Sequence, residues 1–232
     1  MTTIGGDGRA RRRPAVRRSA RRDRRHLLLW SGAGALLLVA CVLAAAAVPL
    51  DLGRVPWPRR GLLGIFGLAV VLGGLGGSVE DRAMTVRGRG RFIYGAVVVT
   101  LGGSLILLVL GAVELWTSGS VAVVRLGLPL ALPLLAAFAW LTLRPTRRLW
   151  VAVSWWVSLG LALALASRFV AIDGALVVGV AIIGMIGGTQ LHELPVLARG
   201  RHDAFAITLA TFNAPLRLPS RLVRLLLALL AR

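Results

Sequence analysis

The sequence predicts an all-α, polytopic integral membrane protein: a bundle of about six transmembrane helices with both termini on the cytoplasmic side. Three observations carry that prediction. Hydrophobic residues fill 57% of the 232 positions and charged residues only 16%, a composition too apolar for an ordinary soluble domain. Charge-free runs recur along the chain, each close to the ~20 residues a helix needs to cross a ~30 Å hydrocarbon layer. The 28 basic residues are all arginine, and they gather in an N-terminal tail and in short breaks between those runs.

Residues 1–26 hold ten arginines against Asp7 and Asp23, with no apolar periodicity that would build a core. They are expected to form a disordered cytoplasmic tail. The first span is 27–47, uncharged throughout. A secretory signal peptide is the rival reading, because Arg24-Arg25 precede an apolar run ending in alanines. That run exceeds the ~7 to 15 residues of a usual signal core, and its removal would leave five spans. Further charge-free runs follow at 61–79, 92–113, 126–143, 149–167 and 174–191, completing a transmembrane domain over 27–191. The breaks between them leave no room for a soluble domain.

Within span four, Pro129 and Pro133 each remove a backbone donor, so a kink is expected, with a hinge as its functional reading. Residues 192–232 read as a cytoplasmic loop followed by an interfacial helix. The apolar run 204–214 is too short to cross, and Arg217, Arg221 and Arg224 recur at helical spacing beside Leu222, Leu225, Leu226 and Leu229, the pattern of an amphipathic helix lying in the interface.

Orientation follows from the arginines, since cytoplasmic flanks retain positive charge. With the N-terminus inside, 23 of the 28 fall on the cytoplasmic side. Three of the five outer ones, Arg54, Arg59 and Arg60, share the first outer loop and depart locally from the rule. The complete lack of lysine fits the codon bias of a GC-rich genome, which makes a bacterial plasma membrane the expected location. It also removes any chemistry that needs a side-chain amine.

The stretch from Gly73, GGLGGSVEDRAMTVRGRGRF, is echoed from Gly184 by GMIGGTQLHELPVLARGRHDAF. Gly73, Gly76 and Gly77 align with Gly184, Gly187 and Gly188, and Arg87-Gly88-Arg89 with Arg199-Gly200-Arg201. Phe92 aligns with Phe205. Duplication would make this a parallel repeat, a construction known among transporters; glycine-rich helices followed by arginine-rich loops also arise without it. If the repeat is real, residue 204 onward corresponds to the start of span three and dips into the membrane. Gly73 with Gly77, and Gly184 with Gly188, form GxxxG pairs that let helices approach closely, within the chain or toward a partner subunit.

No catalytic constellation assembles. His192-Glu193 begins like a HExxH zinc helix, but Val196 holds the second histidine position and Pro195 would break the helix. His192, Glu193, His202 and Asp203 are expected to be solvated loop charges. Cys41 is a lone thiol without a partner for a disulfide or a metal site. The sequence implies no cofactor and leans away from an enzyme.

Near membrane depth lie Glu114, Arg125, Arg168 and Asp173, all at outer span ends. They are expected to form two interfacial ion pairs, Glu114 with Arg125 and Arg168 with Asp173, or to line a substrate or ion path. Charge is otherwise expected to be missing at mid-membrane, which argues against a proton-coupled transporter with buried carboxylates.

The expected function is a non-enzymatic transport or channel (permease-like) subunit, with the lipid bilayer and other membrane or cytoplasmic subunits as partners. Arg87, Arg89, Arg199 and Arg201 are the expected cytoplasmic contacts. The alternative is an anchor or assembly subunit whose tail holds anionic lipid, an acidic partner or nucleic acid, although the aromatic interleaving that selects nucleic acid is absent.

Overall fold

The computed structural model describes residues 12–48, 59–117, 121–144, 148–169, 171, 174–200 and 202–231, and all the regular structure among them is helical. Eight helices follow one another: α1 Arg12–Ala47, α2 Arg59–Thr85, α3 Gly90–Thr117, α4 Val121–Thr142, α5 Arg148–Ala166, α6 Gly174–Leu197, α7 Ala204–Asn213 and α8 Leu218–Leu230. Six of them, α1 to α6, are long and apolar enough to cross a bilayer. Many large apolar side chains are exposed, among them Leu63, Leu130, Leu149, Leu161 and Leu165, as lipid rather than water would select.

Helix boundaries depart most from the sequence reading in three places. α1 begins at Arg12, well inside the segment expected to be disordered. Alanine and arginine are good helix formers, and extending a helix already nucleated by the span costs little. α2 and α6 run on to Thr85 and Leu197, six residues past the expected span ends at 79 and 191, and so carry Glu80 and Glu193 into the bundle. Pro195 does not end α6, because only two helical residues follow it and few ladder bonds are lost.

α2 and α3 form a tight antiparallel hairpin whose turn uses Gly88 at φ +79°, a conformation few other residues accept. α4 and α6 pack side by side with the same sense: a methyl on Gly127 would meet Ile183, and one on Gly179 would meet Val123. α5 packs on α6 and α4, where the Trp155 ring seats against Gly187 and its indole N–H donates to the Gly184 carbonyl at 2.9 Å. Phe138 of α4 meets that ring edge-on at 5.6 Å.

The helix that organises the core is the shortest one. α7 enters from the arginine-rich end, beside α1 and α3. Seven of its ten residues are buried, including Ile207 and Phe212. It fits because its neighbours present glycines. A methyl on Gly34 of α1 would lie 2.5 Å from the Thr208 carbonyl oxygen, and methyls on Gly95 and Gly102 of α3 would meet the Phe205 and Phe212 rings. At 1.5 Å per residue, ten residues penetrate about 15 Å, roughly half a hydrocarbon layer. α7 is thus a half-span.

Candidate functional site: a charge network at a broken helix

Asp203 starts the element that builds the site. Its carboxylate accepts from the Ala206 amide at 2.9 Å and caps α7, while Arg91 at the start of α3 donates to its other oxygen at 2.5 Å. Partial burial works against its charge, but the two hydrogen bonds and the Arg91 guanidinium outweigh it and hold the carboxyl below its ordinary value. The same guanidinium lies 4.6 Å over the Phe205 ring, and Phe205 meets Phe92 edge-on at 5.2 Å. The two phenylalanines that the sequence echo aligns are therefore in contact, at the starts of α7 and α3.

At its inner end α7 stops at Asn213, and the chain turns through Ala214, Pro215, Leu216 and Arg217 before α8 begins. Pro215 deprives this stretch of a backbone donor, and Pro219 stands in the first turn of α8, where a missing donor costs little. The turn seats on α2: a methyl on Gly73 would lie 2.6 Å from the Leu216 carbonyl oxygen, one on Gly76 3.3 Å from the Asn213 amide oxygen, and one on Gly77 3.2 Å from the Arg217 side chain. The glycine face predicted to admit a neighbouring helix thus admits a helix break.

Four charges meet there. Glu80 of α2, only 3% exposed, accepts from the Asn213 side-chain amide. The Arg217 guanidinium lies 3.4 Å from Glu80 and 3.9 Å from Glu193 of α6, which is also buried. Arg221 of α8 donates to Glu193 as well. Two carboxylates and two guanidiniums make the cluster neutral, with Arg217 shared between acids on different helices. Its Nε is buried without a hydrogen-bond partner, so the group is not fully satisfied where it stands. Buried charge of this kind persists only when paired, and loss of one member strands another.

These positions correct one sequence expectation. Glu193, four residues from the end of α6, is a buried partner of two arginines rather than a solvated loop charge, whereas His192, His202 and Asp203 are exposed; Glu80 is likewise buried, five residues from the end of α2. Signals for the site lay in the sequence all the same. The 204–214 run was apolar but half the needed length, it ended in Asn-Ala-Pro-Leu-Arg, and Glu80 and Glu193 each stood within three turns of a glycine cluster.

Apart from Gly73 and Gly77, the residues singled out from sequence fall elsewhere. Arg125 donates to the Ala46 carbonyl at 2.5 Å, tying the start of α4 to the end of α1. Glu114 is exposed at the end of α3, and Arg168 is exposed beyond α5; Asp173 lies outside the described residues. Gly184 takes the Trp156 ring against it, and Gly188 has only the Trp155 indole nitrogen nearby, at 4.0 Å. Arg87, Arg89 and Arg199 are exposed in the two loops at the arginine-rich end, and Arg201 lies outside the described residues. Among the described residues no three His, Cys, Asp or Glu side chains gather where a metal ion could be held.

No family model, no curated protein and no solved structure matches this chain.

Proposed function

We propose that this multi-pass membrane protein is a permease-like transport or channel subunit, coupled to protons or small cations through the Glu80–Arg217–Glu193–Arg221 network. The observation that carries the reading is the placement of four ionisable groups at a break between a half-span helix and α8. Buried charge inside a membrane bundle is costly and recurs where ions or protons are moved, and discontinuous helices are the usual way of building those sites. Protonating either carboxylate leaves Arg217 with one partner instead of two, which gives the break a second arrangement to move into. In this reading the arginine-rich end faces the interior of a bacterial cell, and Arg87, Arg89, Arg199 and Arg201 meet an acidic partner subunit.

Proteoliposomes with an internal pH-sensitive dye and a potassium diffusion potential test the proposal. Saturable proton or cation flux is expected from the wild type, with Glu80→Gln and Glu193→Gln reducing it to the protein-free leak. Flux indistinguishable from empty liposomes would refute it. An anchor or assembly role would then stand on the exposed loop arginines, and substituting Arg87, Arg89 and Arg199 together would release a co-purifying partner.

A further inference from the structure

On the other side of α7 lies a cavity of about 340 Å³ between α1, α4, α6 and α7, a size at which small-molecule sites begin. Its walls are almost wholly apolar, with Ala35 and Leu132 facing Leu194. Leu36 and Trp140 also line it and are 58% and 48% exposed, so it opens sideways, between α1 and α4, onto the surface that faces lipid. Inside it sits Gln190, 3% exposed, with neither its amide nitrogen nor its amide oxygen hydrogen-bonded. A buried amide without partners is costly, and Gln190 is one of the residues that line this cavity.

Two hydroxyls share that wall. Ser31 donates to the Leu28 carbonyl and Thr211 to the Ile207 carbonyl, so each oxygen retains only acceptor capacity toward the cavity. No charged side chain among the described residues lines the space, which disfavours an ionic occupant.

We infer that this cavity binds a neutral, membrane-dissolved molecule with an apolar body and one group, such as a hydroxyl, that both donates and accepts a hydrogen bond, held by the Gln190 amide and entering from the bilayer between α1 and α4. The inference does not depend on whether the chain conducts ions, and its test reads binding alone.

The test uses the full chain in lipid nanodiscs and tryptophan fluorescence, with bromine-terminated undecanol and bromoundecane as probes. Trp140 stands at the mouth of the cavity. The alcohol is expected to quench with a saturable component that the alkane lacks. Gln190→Leu should weaken that component by about tenfold or more. Ala136→Phe, at the exposed mouth, keeps Gln190 and should remove the component by filling the entrance. Equal quenching by alcohol and alkane in the wild type would overturn the inference. So would undiminished alcohol affinity in Gln190→Leu or, should that variant not fold, in Ala136→Phe.

Discussion

Replacing Arg217 by methionine tests whether the charge network holds the broken helix in place. The guanidinium is 3.4 Å from Glu80, where two unit charges attract by about 5 kcal/mol at an effective dielectric constant of about 20, before desolvation is subtracted. Methionine keeps most of the volume and leaves Glu80 buried with only the Asn213 amide, so the substitution is expected to cost about 3–5 kcal/mol. Glu80→Gln retains an acceptor for Asn213 and removes the stranded charge. The double variant, with Arg221 still on Glu193, should therefore lie within about 2 kcal/mol of wild type, a coupling of about 1 kcal/mol or more. Unfolding free energies from steric trapping in bicelles measure all four corners of the cycle. Losses that add to within about 0.5 kcal/mol would mean that Arg217 and Glu80 do not sense each other, and the argument for a shared cation would collapse.

Glycine contacts give a paired prediction: Gly34→Ala should destabilise by about 1–3 kcal/mol because its methyl meets backbone, whereas Gly32→Ala, with open space around it, should be neutral or stabilising by up to about 1 kcal/mol. Thermal unfolding in detergent separates the two. Gly187→Ala should loosen α5 by driving a methyl into the Trp155 ring, and Trp155→Phe should relieve much of that loss when the two are combined, an effect read as non-additive melting temperatures. Asp203 has a carboxyl held below its ordinary value of 3.8, so its contribution is present above that pH and fades as pH falls through the lowered value. The melting-temperature gap between wild type and Asp203→Asn should be open at pH 6 and close toward pH 3; a gap constant over that interval would contradict the capping role.

The six spans were legible because their signal is length and the absence of charge, and bilayer thickness sets both. Their inner ends were harder to read. In sequence a charge reads as the end of a span, but a charge whose counter-ion comes from a distant helix does not mark one, and Glu80 and Glu193 find theirs on Arg217 and Arg221, more than twenty residues further along. α7 was hidden for a related reason: ten apolar residues cannot cross a bilayer, and only glycines on α1, α2 and α3 make room for a helix that stops halfway. Of these, only the α2 glycines carry a GxxxG signal in the sequence, and spacing alone names no partner; Gly34, Gly95 and Gly102 carry none. Gln190 gave no sequence signal, since a glutamine near a helix end reads as solvated until the surrounding helices close over it.

One consequence of the shared arginine concerns the order of synthesis. Glu80 and Glu193 leave the ribosome well before Arg217 and Arg221, so six helices are translated while both acids still await their cations. The nascent protein must keep those side chains hydrated or protonated until its closing segment slots in, and a chain ending before residue 217 would hold two orphan carboxylates.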